Sequence, residues 1–198
     1  MKYSAEYTVM DREALMQAVQ MRMSERRFKH VLGVEETAVA LAERFGESPE
    51  KASIAALTHD YAKERSDEEF QLAIDQGNFE NKTELLKYGN AIWHGLVGAD
   101  FVARELSITD EEILNAIRLH TTGSAEMTLL DKIIYVADYI EPGRNFPSVE
   151  DARVIAFSDL DQAVAFETKH TLAHLVEGES PIYPKTIETY NRWVAGIK

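Results

Sequence analysis

The chain has 198 residues, of which 45% are apolar, and a formal net charge of −13. This length and composition predict one domain over residues 1–198, and the charge disfavours nucleic acids and anionic membranes as partners. Cysteine is absent, which excludes disulfides and thiolate chemistry, so any metal must be held by nitrogen and oxygen. Because no segment has the pattern of a signal peptide or approaches the roughly 18 apolar residues of a membrane span, we expect a cytoplasmic protein.

Apolar residues recur at steps of three and four along nearly the whole chain, and side chains suited to capping helices divide it into segments. The predicted N-caps are Thr8, Ser24, Ser48, Ser66 and Thr109. Gly46 and Gly77 are predicted to end helices, Pro142 to halt a long helix and Pro184 to begin the last one. Residues 90–107 form one further apolar-periodic run. The alternation typical of strands is nearly absent, so we predict an all-α bundle of about nine or ten helices.

Four of the six histidines lie in or beside apolar segments, where an unpaired imidazole would be costly. They are His30, His59, His94 and His120. Taken singly, each fits an ordinary core or surface role. Asp138, however, lies in an equally apolar run, and a carboxylate there needs a partner, for which a metal ion is suited. Asp60 directly follows His59 and completes a set of six ligand-type residues.

Four histidines and two aspartates suit a centre of two divalent metal ions. Imidazole and carboxylate ligands accept Fe, Mn, Co, Ni or Zn. Two ions would also explain the His59-Asp60 pair, because Asp60 can bridge both ions while His59 binds one of them. His170 and His174 form an i, i+4 pair, for which we predict a surface or packing role.

Five segments match a known family in their order and spacing. They are residues 25–34 (ERRFKHVLGV), 59–63 (HDYAK), 93–99 (WHGLVGA), 116–123 (AIRLHTTG) and 131–144 (DKIIYVADYIEPGR). The order of His30, His59-Asp60 and Asp138 resembles that of the HD-domain phosphohydrolases, an all-helical superfamily. The finer motifs resemble its YqeK-type bacterial members. The resemblance covers about residues 20–195 and implies one HD domain.

The resemblance implies a symmetrical bis(5′-nucleosyl)-tetraphosphatase, which splits diadenosine tetraphosphate (Ap4A) and related dinucleoside polyphosphates into two nucleoside diphosphates. It also implies a centre of two metal ions, usually described as di-iron. The expected reaction is in-line attack on phosphorus by a water that the two metals activate. The ligands that the resemblance implies are His30, His59, Asp60 and Asp138 for one ion, and Asp60, His94 and His120 for the other.

Two cationic residues lie close in sequence to these ligands. Lys63 follows Asp60 by three residues, so it could neutralise a phosphate oxygen and contribute to catalysis with Asp60. Its ordinary alternative is a solvated lysine at a helix end. Arg27 precedes His30 by three residues on the same helix face, which makes it a candidate phosphate clamp.

Further substrate contacts are predicted near the later motifs. Thr122 and Gly123 follow a histidine at a helix end and offer a hydroxyl and backbone N–H groups. Arg144 could reach the second nucleotide or its phosphates, or could be a simple loop residue. Asp131 fits either the orientation of a ligand or an ordinary salt bridge. Trp93 could stack on a purine, but a core position is the stronger expectation.

Two other functions are compatible with the same metal ligands. One is a different HD phosphohydrolase, acting on (p)ppGpp or on (deoxy)nucleotides. The other is a catalytically silent nucleotide sensor, against which the complete ligand set and Lys63 both argue. A homodimer is also possible, because the amphipathic C-terminal segment with Tyr190 and Trp193 can pack either in the core or on a second copy of the chain.

Overall fold

In the computed structural model, which describes residues 2–197, the chain folds into twelve α-helices, and no strand occurs within that range. The helices are α1 (Arg12–Gln20), α2 (Glu25–Phe45), α3 (Pro49–Thr58), α4 (Asp67–Gln76), α5 (Lys82–Leu85), α6 (Asn90–Leu96), α7 (Gly98–Leu106), α8 (Glu111–Leu119), α9 (Leu129–Ile140), α10 (Val149–Ala156), α11 (Leu160–Glu177) and α12 (Pro184–Trp193). The all-α prediction is confirmed, with a few more helices than the sequence suggests.

One additional helix is the four-residue α5, and another arises where the chain turns within an apolar-periodic run. The run 90–107 is divided at Val97 into α6 and α7, between two glycines of low helix propensity. Gly95 permits a close approach between helices, since a Cβ there would lie 3.3 Å from the Arg118 carbonyl oxygen. Farther along, the Asp159 side chain accepts two backbone N–H groups and begins α11 separately from α10.

Most predicted helix boundaries are confirmed, and two N-caps are displaced. Hydroxyl oxygens accept backbone N–H groups at Ser24, Ser48 and Ser66. The predictions of Thr8 and Thr109 were wrong, because Asp11 and Asp110 cap α1 and α8. A carboxylate is favoured there, since its charge also complements the positive end of the helix dipole.

The packing of five helices determines where the predicted metal ligands meet. Helix α2 packs against α3 and α9, and α8 packs against the same two helices, while α6 lies on α8. Apolar residues from these helices belong to one contiguous core. The carboxyl ends of α3 and α8 therefore meet the first half of α2 and the second half of α9. Among the described residues, no helix has the length and apolar character needed to cross a bilayer.

Asp131 has a structural role that differs from both sequence-based alternatives. Its carboxylate accepts the Thr128 backbone N–H at 2.8 Å, while the Thr128 hydroxyl accepts the Asp131 N–H, forming a capping box at the start of α9. The Asn115 amide on α8 also donates to both carboxylate oxygens, at 3.0 and 3.1 Å. Asp131 thus fixes the start of α9 and joins it to α8.

We predict that Asp131→Ala lowers the free energy of unfolding by about 2 kcal/mol, because buried donors on Thr128 and Asn115 lose their acceptor. Urea unfolding of the metal-free protein measures this change. Thr128→Ala, as a control, should cost about 1 kcal/mol. Metal content should stay at the wild-type value in both variants. Loss of metal from Asp131→Ala without a change in stability would instead mean that Asp131 orients a ligand.

Candidate metal centre

Six ligand-type side chains converge from five helices. His30 lies in the second turn of α2, His59 and Asp60 follow the last turn of α3, His94 lies on α6, His120 ends α8, and Asp138 lies on α9. His59, Asp60, His94 and His120 are each at most 3% exposed. The structure therefore brings together residues that are more than one hundred positions apart in the chain.

The two oxygens of Asp60 face different histidines. Asp60 Oδ2 lies 3.7 Å from His30 Nε2 and 3.6 Å from His59 Nε2. Asp60 Oδ1 lies 3.5 Å from His94 Nε2 and 3.8 Å from His120 Nε2. One carboxylate is thus positioned between two pairs of imidazoles, an arrangement that suits a bridging ligand.

Further short distances complete the two sides of the cluster. Asp138 Oδ1 lies 3.2 Å from His30 Nε2, and the Nε2 atoms of His94 and His120 are 3.0 Å apart. Two groups have potential ligand atoms that all lie within 4.8 Å of one another: His30 with His59 and Asp138, and His59 with Asp60 and His120. We name the side that contains His30 and Asp138 the α2–α9 side, and the side that contains His94 and His120 the α6–α8 side.

Each of the four histidines has its Nδ1 atom next to an acceptor, which orients the ring. His59 and His120 end their helices, and their Nδ1 atoms lie 2.7 Å from the carbonyl oxygens of Ala56 and Ile117. Such carbonyls lack a partner within the last helical turn, so an imidazole N–H satisfies them. An Nδ1–H proton leaves the Nε2 lone pair pointing to the centre.

The other two histidines follow the same rule with different acceptors. His94 Nδ1 lies 2.7 Å from the Asn90 carbonyl oxygen, and His30 Nδ1 lies 3.1 Å from Oε1 of Glu141. The Nε2 atoms of His30 and His59 are buried and have no hydrogen-bond partner. Unsatisfied buried nitrogens are costly unless a ligand completes them, so the donor set fits divalent metal ions.

The charge states of the carboxylates also suit metal binding. Burial alone would raise the pKa of Asp60, but the nearby imidazoles, His59 foremost, hold it well below its usual range. Burial is likewise outweighed at Asp138, whose pKa is held well below its usual range by the His30 imidazole 3.2 Å away and by the charges of His59 and Arg144. Both carboxylates are therefore ionised at neutral pH.

The imidazoles of the α6–α8 side are held in the neutral form. Burial, with the charges of His120 and Lys63, lowers the pKa of His94 to about 3. Burial and the charge of His59 lower the pKa of His120 to about 4. Metal ligation requires a neutral imidazole, so these two rings need not lose a proton before they bind an ion at neutral pH.

Two predicted arginines contact the carboxylates of the centre. The Arg27 guanidinium donates to Asp60 Oδ2 at 2.7 Å. Arg144 donates from Nε to the Asp138 carbonyl oxygen at 2.8 Å and from its terminal nitrogen to the Asp138 carboxylate. Both predicted phosphate-binding arginines thus lie at the α2–α9 side.

Lys63 lies over the α6–α8 side. Its Nζ atom is 3.1 Å from His94 Nδ1 and 3.2 Å from His94 Nε2, and its backbone carbonyl accepts the Asn90 side-chain amide. Burial lowers the pKa of this ammonium group. Lys63 is therefore directed inward and is not a solvated lysine at a helix end.

Thr122 and Gly123 have other contacts than the predicted ones. Thr122 is buried, with 1% of its surface exposed. Its hydroxyl donates to the Gly123 carbonyl oxygen, and its own carbonyl oxygen accepts a hydrogen bond from the Thr189 hydroxyl. A Cβ on Gly123 would meet Thr189 at 2.6 Å, so this turn packs against α12. The hydroxyl next to the centre is that of Thr121, 3.1 Å from His94 Nε2.

Two other expectations agree with the structure. Trp93 is 3% exposed and donates from its indole N–H to the Leu85 carbonyl, which is a core position. His170 stacks on Phe166 and bonds its carbonyl oxygen, while His174 is exposed, in keeping with packing and surface roles.

Sequence reasoning missed Thr121 and Glu141. The two consecutive threonines after α8 cannot be distinguished by pattern, because the direction of each side chain depends on how the turn leaves the helix. Glu141 does carry a signal, since it lies three residues after Asp138, at a spacing that places two side chains on one helix face. Its carboxylate bonds His30 from the outer side of the centre.

A cleft of about 720 Å³ opens beside the α2–α9 side. Its lining includes His30 and Glu141 of the centre, and four cationic residues. These are Arg26, Arg27, Lys29 and Arg144. Glu36 and Glu64 also line the cleft, so its four cations outnumber its glutamates by one. In a chain with a net charge of −13, this local balance is more favourable to an anionic ligand than the surface as a whole.

Comparison with known proteins identifies the family. Residues 27–143 match the HD domain family. The chain is 46% identical to a protein of Bacillus subtilis (strain 168) named "Bis(5'-nucleosyl)-tetraphosphatase, symmetrical", over 94% of this chain and all of the relative. A protein of the same name from Halalkalibacterium halodurans is 43% identical over 92% of this chain and 97% of the relative.

A crystal structure from Clostridium acetobutylicum, described as a predicted HD superfamily hydrolase involved in NAD metabolism, is similar throughout. It shares 35% identity and superposes with a TM-score of 0.88, covering 99% of this chain and 100% of the other. The HD-domain match covers more than half of the chain, and two relatives are more than 40% identical to it over nearly its whole length. These two findings establish the family. The chain belongs to the HD-domain family and, within it, to the symmetrical bis(5′-nucleosyl)-tetraphosphatases.

Proposed function

We propose that this protein hydrolyses Ap4A and related dinucleoside polyphosphates symmetrically, yielding two nucleoside diphosphates. The observation that carries the proposal is the position of Asp60 between two pairs of imidazoles, in a chain 46% identical to a named symmetrical tetraphosphatase over that relative's whole length. A two-sided centre beside a cationic cleft suits the transfer of a phosphoryl group to water.

In this proposal the centre would hold two divalent ions, and Asp60 would be a ligand of both. Iron is the proposed metal, and Mn, Co, Ni and Zn are compatible with the same nitrogen and oxygen ligands. The chemistry that two such ions supply is activation of a water molecule and withdrawal of charge from phosphoryl oxygens. The ligands would be His30, His59, Asp60 and Asp138 on the α2–α9 side, and Asp60, His94 and His120 on the α6–α8 side.

The cationic side chains supply the remaining substrate binding. Arg27 and Arg144 rest on carboxylates of the centre, so a polyphosphate entering the cleft offers them replacement acceptors. Lys63 approaches from the opposite side, at His94. Three cations on two sides orient a polyphosphate chain across the centre, which is the main contribution a protein makes to phosphoryl transfer.

The cleft volume is appropriate for half of the substrate. At about 720 Å³ it lies within the roughly 300–1,000 Å³ typical of small-molecule sites. We infer that it receives one nucleotide half, with Arg144 and Arg27 at the phosphates. Nucleic acid is disfavoured as a substrate by the net charge of −13.

A different HD phosphohydrolase, acting on (p)ppGpp or on (deoxy)nucleotides, would use the same six ligands. A nucleotide sensor would bind without turnover. The products of the reaction therefore separate these functions better than metal binding does, and they define the first test.

We predict that the metal-loaded protein converts Ap4A to ADP alone, because attack at the centre of the polyphosphate gives two equal halves. Chromatography of the products, with the purified protein analysed for metal, measures this. AMP together with ATP would contradict symmetrical cleavage. Turnover of (p)ppGpp or dNTP in place of Ap4A would favour another phosphohydrolase, and no turnover with Fe or Mn bound would favour a sensor.

We predict that Asp60→Asn removes both metal ions and lowers turnover by roughly 10³-fold or more, since a neutral amide is a poor bridging ligand and the lost charge stabilisation is several kcal/mol. His94→Gln should lose only the ion of the α6–α8 side. Metal analysis after gel filtration measures both variants against wild type. Full turnover by Asp60→Asn would refute a two-metal centre.

We predict that Lys63→Met lowers kcat/KM by about 10–100-fold, the effect of losing one charge-assisted hydrogen bond of about 1.5–3 kcal/mol. Metal content should not fall, because the ammonium opposes a cation near His94. Steady-state kinetics at fixed metal concentration measures the effect. Arg26→Gln, which removes an exposed cation from the cleft rim, is the matched control, and an equal loss in both variants would indicate a general electrostatic effect only.

A further inference from the structure

Glu141 is a buried carboxylate that contacts the proposed ligand His30 and has no role in the metal and substrate binding proposed above. It directly follows α9 and is 5% exposed. Oε1 lies 3.1 Å from His30 Nδ1, and the second oxygen accepts the backbone N–H of Gly143. Both oxygens are thus engaged, one by the outer nitrogen of a proposed metal ligand.

The surrounding backbone leaves room for this carboxylate and for little else. A Cβ on Gly33 would lie 2.6 Å from Glu141 Oε2, and a Cβ on Gly143 would lie 2.9 Å from each of its oxygens. Gly33 lies in the middle of α2, where glycine is about 1 kcal/mol less favourable than alanine. The lack of a side chain at this position is therefore explained by the approach of Glu141.

His30 differs from the other three histidines in its acceptor. His59, His94 and His120 direct Nδ1 to uncharged backbone carbonyls, whereas His30 directs it to a carboxylate. An anionic acceptor forms the stronger bond with the ring N–H, fixes the ring, and makes Nε2 a better electron donor. His30 is therefore expected to bind a metal ion more strongly than the other three histidines, although all four are imidazoles.

The charges near the two sides reinforce this difference. The α2–α9 side has two carboxylates of its own, Asp138 and Glu141, in addition to a share of Asp60. These outnumber its two guanidinium groups, those of Arg27 and Arg144. The α6–α8 side shares Asp60 only, and the Lys63 ammonium lies 3.1 Å from His94. A cation is accordingly attracted more strongly to the α2–α9 side.

We propose that Glu141 is a positioning residue that orients and activates His30, and that it makes the α2–α9 side the tighter of the two metal sites. The inference rests on the proposed two-metal centre. Replacing Glu141 by Gln retains the shape but leaves one acceptor oxygen for two donors, so either His30 or the Gly143 N–H loses its partner.

The test is equilibrium dialysis of the metal-free protein against Mn²⁺, with the bound equivalents counted at each concentration. Wild type should bind two equivalents in two resolved steps. In Glu141→Gln the tighter step should weaken by about 10–100-fold while the weaker step is unchanged. Glu36→Gln is the matched control, because Glu36 is an exposed glutamate of the same cleft, and it should bind as wild type does.

Gly33→Ala provides an independent variant that leaves the carboxylate chemically intact and displaces it from His30. It should weaken the same step. The higher helix propensity of alanine, about 1 kcal/mol, offsets part of the cost of displacing the buried carboxylate, so the diagnostic result is the selective weakening of one metal-binding step. If Glu141 were only structural, both variants would lower the unfolding midpoint and would weaken neither metal-binding step selectively.

The outcomes distinguish the proposed metal centre from the proposed role of Glu141. Failure of wild type to bind two equivalents would overturn the metal centre itself. Wild-type binding of both equivalents by Glu141→Gln or by Gly33→Ala, with two equivalents bound to the wild-type protein, would overturn the role of Glu141 alone. Selective weakening of one step in both variants supports it.

Discussion

The burial of the Asp60 carboxylate is the constraint on which the architecture depends. An ionised carboxylate that is 3% exposed is costly unless other groups compensate it. Four imidazoles and the Arg27 guanidinium surround this one, and none of them is adjacent in sequence except His59. Helices α2, α3, α6, α8 and α9 must all be packed correctly before the charge is compensated, so the stability of the fold and the geometry of the centre are linked.

Helix ends provide much of the precision of the centre. His59 and His120 each end a helix and each donate to a carbonyl three residues earlier, so the unpaired groups of two helix C-termini orient two imidazoles. At the start of α9, the Asp131 capping box and its bond to Asn115 hold the helix that carries Asp138. Groups outside the centre thus determine where its ligands point.

The predicted ligands and the predicted cations were found close together for a simple reason. Unpaired histidines and aspartates in apolar helical runs are costly, so the residues that make the runs unusual also reveal the site. Arg27 and Lys63 follow from helical spacing relative to His30 and Asp60. Thr122 was predicted as a substrate contact, but the hydroxyl beside the centre is that of Thr121. A sequence pattern cannot show which of two adjacent threonines faces inward once the helix has ended. Glu141 was missed although it lies in a motif that carries the family resemblance.

The sequence by itself determined the all-α class, most of the helix boundaries and the six ligand candidates, because these depend on local periodicity, capping chemistry and the cost of burying polar groups. Only the tertiary structure decided that each Asp60 oxygen faces its own pair of imidazoles, that Thr121 rather than Thr122 lies beside them, and that His30 has a carboxylate behind it. These features depend on contacts between helices distant in the chain, and the directions of side chains across such contacts are set by packing, which local sequence does not encode.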